Sequence, residues 1–244
     1  MSRLQGKTAV VTGGGSGIGL GAAKRFIDEG AFVYIFGRRQ EVLDAAVARL
    51  GPNARAVKGS VTDLADLDRL YETVKAERGG LEILFANAGT GSFAPLGGIT
   101  PQHYDQIFDV NVKGLIFTVQ KALPLMKAGS SIILTGSSTG VMGTPQFSIY
   151  SATKAAIRNL ARSWALDLRG TGIRVNVLSP GPTKTDLALE VVGEEAFEAL
   201  GATTPLGRLA DPIETGAVAA FLASPDSSYM TGGEVFVDGG LAQV

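Results

Sequence analysis

The sequence predicts an α/β fold: a single-domain, doubly wound parallel sheet with helices on both faces. Three observations predict it. Short β-branched runs alternate with longer helical patterns through almost all 244 residues, the mark of a parallel sheet built from strand–helix–strand units. The runs are apolar at consecutive positions, as strands covered on both faces must be. The first run ends at a glycine turn, "TGGGSGIG" at 12–19, that leads straight into a helix. Crossovers between parallel strands are right-handed, which winds the sheet in both directions from its middle.

In chain order, "TAVVTG" (8–13) reads as a buried strand and "GLGAAKRFIDEG" (19–30) as a helix stopped by Gly30. "AFVYIFG" and "QEVLDAAVARLG" repeat the unit, as do "ARAVKGS" and "DLADLDRLYETVKAERGG". "LEILFANAG" is followed by one long helix, "HYDQIFDVNVKGLIFTVQKALPLMKAG". "SSIILTGSS", "SATKAAIRNLARSWALDLRGTG" and "IRVNVLSPG" continue the alternation. A less regular stretch near 182–210 precedes a helix, "DPIETGAVAAFLAS", and a last strand, "GEVFVDGG". No linker, low-complexity segment or clear internal repeat interrupts the chain, so one domain over 1–244 is expected.

Composition excludes several functions. The net charge is −1 with no basic block, so nucleic acid is not an expected partner. There is no cysteine, which removes disulfides and thiolate chemistry, and His103 is the only histidine, which removes multi-histidine metal sites. No run of about 18 apolar residues suggests a membrane span, and the N-terminus lacks the pattern of a signal peptide, so the cytoplasm is the default compartment. Residues 128–153 carry no charge and read as a strand and loop facing the interior or a pocket.

The glycine turn places Gly13, Gly17 and Gly19 between strand and helix. Glycine lets the backbone approach a ligand, and the helix start offers free N–H groups to a pyrophosphate. No Gly-Lys-Ser/Thr follows, so this is not a nucleoside-triphosphate loop. At the tip of the second strand, a dinucleotide site for NAD would carry a carboxylate for the ribose 2′-hydroxyl. This chain has Gly37, Arg38 and Arg39 instead, and guanidinium forks suit a 2′-phosphate. NADP(H) is the expected cofactor.

Two segments have the spacing Tyr-x-x-x-Lys: "YETVK" at 71–75 and "YSATK" at 150–154. Tyr71 lies among charges and reads as part of a solvated helix face. Tyr150 follows the uncharged stretch, and Ser137 precedes it by thirteen residues at a strand end. Ligands of open α/β sheets bind beyond the carboxyl ends of the strands, which selects Tyr150.

With "TGGGSGIG", "NAG" at 87–89, Asn111, Ser137, Tyr150, Lys154 and "PGPTKT" at 180–185, the chain resembles the short-chain dehydrogenase/reductase family over nearly its whole length. The resemblance implies a Rossmann-type domain, usually tetrameric, and a proton-transfer site of Ser137, Tyr150 and Lys154, with Asn111 supporting a water-linked relay. It implies cofactor contacts at Gly13, Ser16, Gly17, Ile18, Gly19, Arg38, Arg39, Ser60, Val61, Asn87, Ala88, Gly89, Tyr150, Lys154, Pro180, Gly181, Thr183 and Thr185. "FANAG", "FDVNVKGLIFTVQKALPL" and "FVDGGLAQV" are similar to segments of bacterial NADP-dependent alcohol dehydrogenases acting on bulky secondary alcohols and ketones. Ser60 stands where many members have an adenine-binding Asp, Ala86 replaces an Asn, and Thr153 replaces a Ser, a change expected to be immaterial.

The chemistry requires these residue types. A free phenol has a pKa near 10, and an ammonium one helical turn away lowers it. Tyr150 then exchanges a proton with the substrate oxygen while Ser137 hydrogen-bonds it. The expected function is hydride transfer between NADP(H) and a secondary alcohol or ketone. The alternatives are a 3-oxoacyl-carrier-protein reductase and, in another class, a regulator that senses NADP without turnover. An apolar substrate is expected from segments 90–98, 138–147 and 186–200, with Gly91, Gly140 and Gly143 leaving room beside the reacting carbon.

Overall fold

The computed structural model describes residues 2–244. Its centre is one sheet of seven parallel strands in the order β3-β2-β1-β4-β5-β6-β7. The strands are β1 (Thr8–Thr12), β2 (Phe32–Gly37), β3 (Ala54–Lys58), β4 (Ile83–Ala86), β5 (Ser131–Thr135), β6 (Arg174–Pro180) and β7 (Glu234–Val237). Every neighbouring pair is parallel. The strand order reverses between β1 and β4, so the loops leaving these two strands diverge and open a crevice at their carboxyl ends.

The helices are α1 (Gly17–Asp28), α2 (Gln40–Leu50), α3 (Leu64–Arg78), α4 (Pro101–Phe108), α5 (Leu115–Ala122), α6 (Ser148–Asp167), α7 (Asp186–Val192), α8 (Glu194–Ala202) and α9 (Pro212–Ala223). Strand alternation sorts the core into two halves. Val10, Leu84, Ile132, Leu134 and Val177 pack with apolar residues of α3, α5 and α6 on one face. Val11, Ile35, Phe85, Ile133 and Leu178 pack with those of α1, α2 and α9 on the other. The middle strands β1, β4 and β5 are buried throughout. The edge strands differ from the expectation of two covered faces. β3 exposes Arg55 and Lys58 and is buried only at Ala54 and Val57, and β7 is half-buried along its length.

Three further expectations need correction. The long fourth helix is interrupted: Asp109–Gly114 forms a wider, π-helical turn between α4 and α5. The irregular stretch after β6 contains two short helices, α7 and α8; single glycines at 193 and 201 and mixed polarity hid their period. Tyr71 is not solvated. It is buried with Leu67, Leu70 and Val74 on the inner stripe of α3, and its hydroxyl donates to the Thr118 carbonyl at 2.6 Å. The charges around it occupy the other faces of the same helix, which nearness in sequence alone does not reveal.

Candidate active site

The turn after β1 is held from below by side chains. Thr12 Oγ1 accepts the amides of Asn87 (3.0 Å) and Ala88 (3.1 Å), and Asn87 Nδ2 donates back to the Thr12 carbonyl at 3.1 Å. Asn87 therefore fastens the end of β4 to the end of β1. Gly19 has no alternative there: a Cβ would stand 2.3 Å from the Gly13 carbonyl oxygen and 2.7 Å from Asn87 Nδ2. Gly17 has φ 50°, and a Cβ on it would lie 2.9 Å from Thr185 Cγ2. The glycine turn and the loop after β6 thus approach each other closely. Ser16 occupies the N-cap of α1 without a side-chain bond to it, leaving the first N–H groups of that helix unmatched by their cap. Ile18 packs on the core beside it.

At the tip of β2, Arg38 and Arg39 are exposed, and their guanidiniums enter no hydrogen bond or ion pair with the described residues. Gly59 donates to the Gly37 carbonyl at 2.8 Å, which brings the end of β3 alongside. There the Ser60 amide donates to Asp66 at 2.8 Å, its hydroxyl pairs with Thr62, and Val61 is buried against Gly114. On the other side of the crevice, Thr183 is buried with its hydroxyl on the Gly181 carbonyl (3.1 Å), just past Pro180, and Thr185 caps α7 through the Ala188 amide (3.2 Å).

Ser137, Tyr150 and Lys154 meet above β5. Lys154 is buried; its Nζ donates to the Thr135 carbonyl at 2.9 Å and lies 5.3 Å from the centre of the Tyr150 ring. That is the only protein hydrogen bond of Nζ among the described residues, so two of its three donors remain for a ligand. Ser137 is buried at the end of the β5 loop, with its Oγ accepting from Thr139 (N at 3.2 Å, Oγ1 at 3.0 Å). A Cβ on Gly89 would come within van der Waals range of both Lys154 Nζ and Asn111 Oδ1.

Electrostatics departs from the sequence expectation. Burial pushes the Tyr150 phenol up to about 12, opposed only by the hydrogen bond from Ser137. Burial also brings the Lys154 ammonium down to about 8. A Lys-lowered phenol is therefore not what the protein groups alone produce, because desolvation dominates both side chains. The arrangement holds Tyr150 as a protonated hydroxyl at neutral pH, suited to giving a proton.

Thr153 differs from expectation. Asn111 Oδ1 accepts the Thr90 amide and its Nδ2 donates to the Thr90 carbonyl, both at 2.8 Å, and to Thr153 Oγ1 at 3.1 Å. Thr153 in turn donates to the Tyr150 carbonyl at 2.6 Å. The residue expected to be immaterial is a fully buried bridge between the Tyr150 helix and the loop at 90. Of the three glycines expected to leave room, only Gly143 faces open space. Gly91 lies against Tyr150 and Phe147, and Gly140 against Lys154. His103 stands in the first turn of α4, with Nδ1 3.4 Å from Ser92. Thr12, Thr90 and Thr135 were missed in the sequence; threonines at strand ends are the signal that marks Thr12 and Thr135. A separate cavity of about 750 Å³, lined by Lys7, Arg169 and Arg174 among others, holds none of these residues.

A family model described as Enoyl-(Acyl carrier protein) reductase matches residues 13–242. The oxidoreductase asL5 of Sarocladium schorii is 64% identical over 246 residues, covering 100% of this chain and 99% of that protein. The NADP-dependent (R)-specific alcohol dehydrogenase of Lentilactobacillus kefiri is 35% identical, covering 98% and 97%. The crystal structure of 3-ketoacyl-(acyl-carrier-protein) reductase from Brucella melitensis complexed with NADH superimposes with a TM-score of 0.91 at 32% identity, over 98% of this chain and 99% of that one.

Proposed function

Because the chain belongs to the short-chain dehydrogenase/reductase family and is an oxidoreductase of that family, we propose that it transfers a hydride between NADP(H) and a secondary alcohol or ketone. The observation that carries this reading is the meeting of Ser137, Tyr150 and Lys154 at the carboxyl end of the sheet, with Lys154 keeping two donors free. The residues present fit a dinucleotide. The uncapped start of α1 suits a pyrophosphate, and Thr185 stands close beside it at Gly17. The unpaired Arg38 and Arg39 suit a 2′-phosphate. Ser60, Val61 and Asn87–Gly89 would flank the adenosine and ribose, and Pro180, Gly181, Thr183 and Thr185 the nicotinamide end.

Bound there, the nicotinamide supplies or accepts the hydride. The chain's own residues handle the proton. Ser137 holds the substrate oxygen by a hydrogen bond. Tyr150, protonated at neutral pH, donates to that oxygen during ketone reduction and must first lose its proton during alcohol oxidation. Lys154 stabilises the phenolate left after donation. Asn111 and Thr153 position Tyr150 by tying its helix to the loop at 90.

An apolar substrate fits the exposed side chains around the crevice: Phe93 and Leu96, Val141, and Leu187 with Leu200. The loops 90–98 and 138–147 carry no charge. The NADP preference and alcohol substrate are supported by the Lentilactobacillus relative. A second reading, reduction of a 3-oxoacyl carrier-protein thioester, is favoured by the likeness to the Brucella structure, which was complexed with NADH. A panel of ketones and 3-oxoacyl thioesters, each with NADPH and NADH, separates them. The proposal expects faster turnover of free ketones with NADPH; a clear preference for thioesters would replace it with the second reading.

The proposed assembly is a homotetramer formed through α4, α5 and α6, where Phe108, Phe117, Leu160 and Trp164 stay half-buried. No described helix is long and apolar enough to cross a membrane.

A further inference from the structure

The loops on either side of the candidate site are tied together over it. Ala94 N donates to the Gln146 carbonyl at 2.8 Å, and Gln146 takes a left-handed φ of 60°, which a residue with a side chain seldom adopts. This clamp stacks three rings. Tyr150 and Phe147 have centroids 4.4 Å apart and planes inclined by 27°; Phe147 and Phe93 are 4.6 Å apart and inclined by 34°. Gly91 seals the first joint: a Cβ on it would come within 2.8 Å of Tyr150 Cδ2 and 3.0 Å of Phe147 Cζ. The column begins at the reacting phenol and ends at Phe93, 42% of which is exposed.

We propose that Phe93 and Phe147 extend the Tyr150 ring into an aromatic shelf that selects ketones bearing a flat aryl group on the carbonyl carbon. This inference rests on the ketone reading of the same site. A carbonyl oxygen at the Tyr150 hydroxyl places the substituent beside the column. An aryl ring there gains ring-to-ring electrostatic contact beyond the area it buries, which a saturated ring of the same skeleton does not. An ionised substituent would find no counter-charge on either loop, since 90–98 and 138–147 contain none.

The test compares acetophenone with cyclohexyl methyl ketone, which share one carbon skeleton, in the wild type, Phe93→Leu and Phe93→Tyr under NADPH. Phe93 packs its ring on Phe147, which in turn stacks on Tyr150, so its replacement leaves the proton donor and the ring stacked on it in place. Phe93→Leu is expected to lower kcat/KM for acetophenone by about three- to tenfold, mainly through KM, the range of an aromatic pair. The cyclohexyl ketone should change less than about twofold, and Phe93→Tyr should retain the wild-type ratio. If Phe93→Leu lowers both ketones by the same factor, or neither, the shelf is overturned while ketone reduction stands. A wild type that reduces neither ketone overturns the functional reading and the shelf with it.

Discussion

At the residue scale, the proposed chemistry turns on the protonation of two side chains. Tyr150 is held protonated with its pKa pushed up to about 12, and Lys154 gives up its proton near 8. Alcohol oxidation needs the phenol deprotonated, so its rate should climb with pH between about 6 and 8. Ketone reduction uses the proton already present and should be flat over that range. Above about 8, loss of the Lys154 charge removes the cation that stabilises the phenolate product, so reduction should fall. Measuring kcat in both directions against pH checks this; parallel profiles would contradict the assigned roles. Tyr71 offers a contrasting case. Its hydroxyl satisfies the buried Thr118 carbonyl, so Tyr71→Phe should cost stability, about 1–2 kcal/mol, without changing turnover per folded molecule. Denaturant unfolding and kinetics on the same sample separate the two effects. The sequence marked Tyr150 as chemical through Ser137 and the uncharged stretch before it. It did not show that Tyr71 is buried, because burial depends on which helix stripe meets the sheet, and it misjudged Thr153, one of whose two partners, Asn111, lies 42 residues away.

At the element scale, the strands were the most legible part of the sequence, because buried strands such as "TAVVT" and "SIILT" carry three consecutive apolar residues between their polar ends. The π-helical turn at 109–114 was not legible: its sequence, "DVNVKG", has no proline, and the widening places Asn111 against Thr90 and Thr153, contacts that local propensity does not encode. The crossing of α1 and α9 depends on two glycines. A Cβ on Gly21 would stand 2.5 Å from the Pro212 carbonyl oxygen, and one on Gly216 would stand 2.6 Å from the Gly21 carbonyl oxygen. The backbones meet directly, so no side-chain rotation can relieve an added methyl. Gly21→Ala should therefore destabilise the protein by about 1–3 kcal/mol. Thermal unfolding would show it as a clear fall in Tm, whereas an unchanged Tm would mean that the helices part without cost.

At the scale of the whole molecule, the reversal of strand order between β1 and β4 opens one crevice, and everything assigned to chemistry stands along it. Its two ends have different characters: cationic and unpaired at Arg38 and Arg39, apolar and aromatic at Phe93, Phe147 and Tyr150. Arg38→Ala should raise KM for NADPH at least about tenfold, the loss of a charge-assisted contact, and leave KM for NADH nearly unchanged. Equal use of both cofactors by the wild type would contradict the NADP assignment. Light scattering at micromolar concentration should give a tetramer mass, and a monomer mass would refute the assembly through α4, α5 and α6. The central claim is that the Tyr150 hydroxyl moves the proton. The most direct measurement is NADPH-dependent reduction of an aryl ketone by the wild type, Tyr150→Phe and Tyr71→Phe, with NADPH affinity determined for each. The account predicts that Tyr150→Phe loses turnover by a factor of at least about 100 while binding NADPH as the wild type does, and that Tyr71→Phe keeps its turnover. Turnover retained by Tyr150→Phe, or lost in Tyr71→Phe at unchanged folding, would contradict it.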